Sequence, residues 1–129
     1  MDPFAGGGTT LIEARRLDRN VLGFEINSQT CEITNQILDD TKKFLKQDVK
    51  TTAHLLCGDS LSLDYEKELQ KFGISKVQLV ILHPPYWDII NFGPDQNNLS
   101  NAKTLQEFLD KFQIIVFVCS SWFKFIFCS

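Results

Sequence analysis

Two clusters of residues have the types and spacing that chemistry needs. The first is Asp2-Pro3-Phe4-Ala5-Gly6-Gly7-Gly8-Thr9-Thr10, in which three glycines follow an acidic residue and an apolar one. The second is His83-Pro84-Pro85-Tyr86, directly after the apolar run Val77 to Leu82. Glycines remove side chains where a ligand must touch backbone, and they accept positive φ. An amphipathic pattern (Leu11, Ile12, Ala14, Arg15, Leu17) starts at once after them. The first cluster therefore reads as a strand-to-helix turn whose free N–H groups face a bound small molecule. The two prolines cannot continue a ladder, since neither donates an N–H and each fixes φ. They make a rigid loop at the carboxyl end of a strand, where open α/β sheets bind ligands.

The ligand is narrowed by what the turn lacks. A phosphate-cradling P-loop needs Lys and then Ser or Thr after its last glycine, whereas Gly8 is followed by Thr9 and Thr10. A dinucleotide turn spaces its glycines as G-x-G-x-x-G, which also fails here. The acidic residue of such a site is nevertheless present, because Val21-Leu22-Gly23-Phe24 reads as a short buried strand ending at Glu25. A carboxylate there suits ribose hydroxyls; its alternative is to cap the helix that starts near Asn27-Ser28. A nucleoside-like cofactor without pyrophosphate remains, and S-adenosylmethionine fits that description.

Taken together, Asp2 to Thr10, Glu25, Asp59 and His83-Pro84-Pro85-Tyr86 resemble the amino-group DNA methyltransferases, which methylate adenine N6 or cytosine N4. The resemblance covers roughly Asp2 to Ser100. It implies a Rossmann-like α/β methyltransferase fold, incomplete here, with a mostly parallel sheet flanked by helices. It implies S-adenosylmethionine as cofactor, bound by Asp2, Phe4, Gly6, Gly8, Thr9, Thr10, Glu25 and Asp59. The catalytic residues it implies are His83, Pro84, Pro85 and Tyr86, with DNA as partner and no metal. Enzymes that methylate guanine N2 of tRNA resemble the same pair of motifs, so RNA is the alternative substrate. An inactive remnant that at most binds cofactor is the reading from a different class. In the family an apolar strand precedes the glycine turn, and the chain opens at Met1-Asp2 without one, which suggests a fragment that also lacks a target-recognition region.

An exocyclic amine is a poor nucleophile because its lone pair is delocalised into the ring. An enzyme that methylates it must accept hydrogen bonds from its N–H groups and so favour a pyramidal nitrogen. Carbonyls beside Pro84 and Pro85 are free of ladder bonds, and the residue at position 83 supplies a second acceptor. Most family members have Asp, Asn or Ser at that place; here it is His83. A neutral imidazole accepts one hydrogen bond and a protonated one none. In the other reading His83 only ends the strand. Tyr86 offers a flat face to the base, a contact worth roughly 1–3 kcal/mol in stacking sites.

The elements that must position these residues follow in order. The periodicity predicts a helix from Thr9 to Leu17, a strand at Val21 to Phe24, and a long helix from Ser28 to about Lys46, with a possible break near Asp39-Asp40. Ala53 to Cys57 reads as the next strand, ended by Gly58-Asp59-Ser60. Asp59 there is either the acceptor for the cofactor's adenine amine, as the resemblance implies, or a turn aspartate. A short helix at Tyr65 to Phe72 leads to Val77 to Leu82, a strand expected to be covered on both faces. Trp87, Ile89, Ile90 and Phe92 either wall the base pocket or pack the core. Leu105, Phe108, Leu109 and Phe112 mark a helix over Thr104 to Phe112.

The 129 residues, 43% of them hydrophobic, suit one domain: a partial catalytic unit over 1–113, then an apolar tail over 114–129 that reads as truncated or aberrant. That tail is too interrupted for a membrane span. A net charge of −3 gives no general attraction for nucleic acid, so a DNA surface must be local or missing. Cys31, Cys57, Cys119 and Cys128 form no C-x-x-C pair, which argues against zinc and for reduced thiols in the cytoplasm.

Overall fold

Val21–Glu25 forms the central strand, β1, and four of its five residues are buried. In the computed structural model, residues 1–42, 50–87 and 89–123 are described. Helix α1 (Thr9–Arg16) precedes β1, and α2 (Ser28–Lys42), β2 (Ala53–Cys57), α3 (Tyr65–Lys71) and α4 (Leu105–Trp122) follow, with a short 3-10 turn at Leu99–Asn101 before α4. Strands β1 and β2 pair in parallel, from Val21 opposite Ala53 to Glu25 opposite Cys57.

Side-chain alternation along β1 splits the core in two. Leu22 and Phe24 face one cluster with Tyr65, Leu69, Leu99, Ile115 and Cys119, while Val21 faces another with Ala5, Leu11, Leu38 and Leu55. Gly23 lies on the second face, where an added Cβ would stand 2.8 Å from Leu11 Cδ1 and 2.9 Å from Ala5 Cβ. Its missing side chain lets α1 and the glycine turn sit directly on the strand.

On the far side of β1 the N-terminus continues the sheet. The Asp2 N–H donates to Leu22 O and the Phe24 N–H to Asp2 O, both at 2.9 Å, in a parallel bridge between Asp2 and Gly23. Met1 in turn donates its ammonium to Leu79 O at 2.7 Å and accepts from the Ile81 N–H at 2.9 Å, the bond pattern of a parallel ladder. Four segments therefore lie in the order β2, β1, residues 1–2, residues 79–81, all running the same way.

Residues 77–82 differ from the expectation of a strand buried on both faces. Val80 and Leu82 pack against the main core, but Leu79 is 62% exposed and Ile81 37%. The run is extended without being a regular strand, because its ladder partners are Met1 on one side and, at Val77, a single bridge to Phe123. A β-branched apolar run favours a strand only when partners supply the ladder and a covering layer.

Helix α4 also departs from expectation. It does not stop near Phe112 but continues to Trp122, so the boundary expected after residue 113 falls inside a helix. Phe108, Phe112, Ile115, Cys119 and Trp122 recur at intervals of three and four and form one core-facing stripe. Ile115 and Cys119 are each only 1% exposed. The last residues of the expected tail, 124–129, lie outside the described residues. Ile115→Ala is expected to lower stability to urea by about 2–5 kcal/mol, as large-to-small core changes do; a midpoint unmoved by the substitution would return this stretch to the status of an appended tail. Helix α2 runs unbroken through Asp39-Asp40, and its expected end near Lys46 lies outside the described residues.

Candidate functional site

Because the four segments run in one direction, their carboxyl ends open on one rim of the sheet. The glycine turn follows residues 1–2, Glu25 ends β1, Asp59 follows β2, and His83-Pro84-Pro85-Tyr86 follows residues 79–81. These segments enclose a cleft of about 420 Å³. Of the twelve site residues anticipated from sequence, eleven line it: Asp2, Phe4, Gly6, Thr9, Thr10, Glu25, Asp59, His83, Pro84, Pro85 and Tyr86. Gly8 stands apart. It is the N-terminal cap of α1 with φ 78°, and an added Cβ would stand 2.5 Å from the Thr34 methyl, so its part is to turn the chain against α2.

The glycine turn is held from three directions. Glu25 accepts the Gly6 N–H on Oε2 at 2.9 Å and the Asn27 N–H on Oε1 at 2.8 Å. Each carboxylate oxygen keeps a second lone pair. Thr34 donates its hydroxyl to Gly6 O at 3.0 Å, and Ser60 donates to Pro3 O at 2.6 Å. Tyr65 donates to Ser60 O at 3.2 Å; burial pushes the Tyr65 phenol well above its ordinary pKa, which keeps it a neutral donor. Asp2, 2% exposed, accepts the Phe4 N–H at 2.9 Å and fixes the start of the turn. Sequence reading did not single out Thr34, Ser60 or Tyr65, whose bonds connect segments far apart in the chain. No local pattern signals them.

Asp59 lines the cleft while its side chain serves a turn. Oδ1 accepts the Leu61 N–H and Oδ2 the Ser62 hydroxyl, both at 2.9 Å. That is the turn role of an aspartate after a strand. In the same lining, His83 Nε2 and the Tyr86 hydroxyl are 3.2 Å apart, with the rings edge to face. The tautomer decides what His83 offers. With the proton on Nε2 the ring donates to Tyr86 and Nδ1 is the acceptor; with Tyr86 donating, the lone pair on Nε2 is used and Nδ1 carries the proton.

The loop after the diproline corner adds residues to the cleft lining. Phe92 is one of them, and its carbonyl accepts from Asn27 Nδ2 at 3.2 Å, which ties the loop to the end of β1. Trp87 does not line the cleft; its indole donates to Ala102 O at 2.9 Å. Asn98, 3% exposed, caps the 3-10 turn by accepting from the Ser100 N–H and hydroxyl, and so sets Leu99 into the wall.

Asp2, Glu25 and Asp59 bring three carboxylates to the lining, which among the described residues contains no Lys or Arg. Such a lining favours a cationic or hydroxyl-rich ligand over a polyphosphate. Among the described residues no group of three or more His, Cys, Asp or Glu is placed to hold a metal, and no helix is long and apolar enough to cross a membrane. No curated protein and no solved structure matches the chain. Residues 1–36, which carry the glycine turn, α1, β1 and Glu25, match the model of the DNA methylase family.

Proposed function

We propose that this cleft carries out S-adenosylmethionine-dependent methylation of an exocyclic amino group in DNA, adenine N6 or cytosine N4. One observation carries the reading: the glycine turn and the diproline corner, distant in sequence, line one cleft at the rim of a parallel sheet. The parallel order of four segments supports a Rossmann-like arrangement, and the DNA methylase match over residues 1–36 supports DNA as substrate.

The cleft fits the cofactor. Cβ atoms built on Gly6 and Gly7 meet nothing within 4 Å, so the space beside the turn is open to a ligand. When bound, the cofactor supplies an electrophilic methyl group on a positively charged sulfur. Glu25 accepts ribose hydroxyls on the lone pairs that Gly6 and Asn27 leave available. The three carboxylates lower the cost of placing a cation in the cleft.

At the diproline corner, His83 and the carbonyls beside Pro84 and Pro85 accept N–H bonds from the target amine, and Tyr86, 53% exposed, stacks on the base. A target in a duplex must leave the stack at a cost of a few kcal/mol, part of which the Tyr86 contact offsets.

Transfer of labelled methyl from S-adenosylmethionine, with duplex DNA and tRNA in parallel reactions, tests this function. Label in DNA amino groups is expected. Label in tRNA alone, or in neither while the donor binds, would overturn the assignment. Because a protonated imidazole accepts no hydrogen bond, the rate is expected to fall when His83 is protonated. A flat profile would remove His83 from that role.

A further inference from the structure

Two thiols that the proposed chemistry does not use meet where β1, β2 and α2 converge. Glu25 and Cys57 are register partners across the two strands. The Glu25 carbonyl accepts from the Gly58 N–H at 2.9 Å and from Cys31 Sγ, in the first turn of α2, at 3.2 Å. Cys57 directly precedes Gly58, so the Glu25 carbonyl gathers the Cys31 thiol and the residue next to Cys57 at one point. The two differ in access: Cys57 is exposed, whereas Cys31 is buried at 4% exposure. Burial, and then the neighbouring Cys57 thiol, raise Cys31 well above the usual thiol range, so Cys31 stays protonated and Cys57 is the thiol that meets a reagent.

We propose that Cys31 and Cys57 form a redox modification site that a hydroperoxide closes to a disulfide. Cys57 sulfur, as thiolate, attacks the peroxide; the O–O bond breaks, the Cys57 sulfenic acid forms, and water or an alcohol leaves. The Cys31 sulfur then attacks the sulfenic sulfur. The S–S bond forms, the S–O bond breaks, and the hydroxyl leaves as water with the Cys31 proton. Two electrons pass from the two sulfurs to the peroxide. Closure removes the thiol that donates to the Glu25 carbonyl and ties the start of α2 to the end of β2.

The reduced full chain is treated with hydrogen peroxide, its remaining thiols are alkylated after denaturation, and the digest is mapped by mass spectrometry. The expected product is a peptide joining Cys31 to Cys57 within one chain, reversed by dithiothreitol. Cys57→Ser should leave Cys31 fully alkylated, and Cys31→Ser should leave Cys57 as its sulfenic or higher acid. Oxidation of Cys57 in the unaltered chain with Cys31 still free would overturn the proposal, as would bridges between chains or to Cys119 or Cys128 in place of this pair.

Discussion

Glu25→Ala is expected to weaken S-adenosylmethionine binding by about 100-fold or more, the largest effect of any single change in the cleft. The carboxylate has two tasks. It accepts the Gly6 and Asn27 N–H groups, at 2.9 and 2.8 Å, and so fixes the glycine turn against the end of β1. It also offers its remaining lone pairs to the ribose. Hydrogen bonds to a charged group contribute about 1.5–3 kcal/mol each, and about 1.4 kcal/mol is a factor of ten in affinity. Loss of one ligand bond together with a loosened turn reaches about two decades. Glu25→Gln separates the tasks, because its amide replaces one acceptor oxygen with a donor and can satisfy only one of the two backbone N–H groups. It should bind the donor with intermediate affinity. Calorimetry decides: equal affinities for the unaltered chain, Glu25→Gln and Glu25→Ala would deprive the carboxylate of its role.

His83→Leu is expected to slow methyl transfer by about 10²-fold, the order found when one positioned acid-base or polar group is removed, with donor affinity unchanged. The split follows because His83 bonds to Tyr86 and not to the glycine turn. The variant should also lose the fall in rate toward acid pH. Tyr86→Phe keeps the ring and removes the hydroxyl 3.2 Å from Nε2. If the working tautomer carries its proton on Nε2, this change costs little, because Nδ1 remains the acceptor. A large loss of transfer with an intact stacking ring would show instead that the hydroxyl is needed to hold that tautomer.

Much of this was readable because the signals are local. Helix α1, the strand ending in Glu25 and the strand Ala53 to Cys57 fall where the glycine turn, the 3.6-residue period and the short apolar runs put them. The same is true of the cleft lining, since residues that follow parallel strands must share one rim. The failures are equally physical. Residues 77–82 have strand composition, but strand formation depends on partners, and Met1 supplies a single residue of ladder. The continuation of α4 was hidden because Cys119, Trp122 and several phenylalanines shift the composition while keeping a stripe at three and four. Ser60 and Thr34, which brace the glycine turn, look like ordinary turn and helix residues until the fold brings them to Pro3 and Gly6.

Donor and acceptor must meet within the one cleft, and magnetisation transfer from the S-methyl protons of bound S-adenosylmethionine tests this most directly. Cross-peaks from that methyl group to the Tyr86 ring and the His83 imidazole, abolished in Glu25→Ala, are the expected result. A donor that binds with its methyl group remote from residues 83–86 would contradict the account.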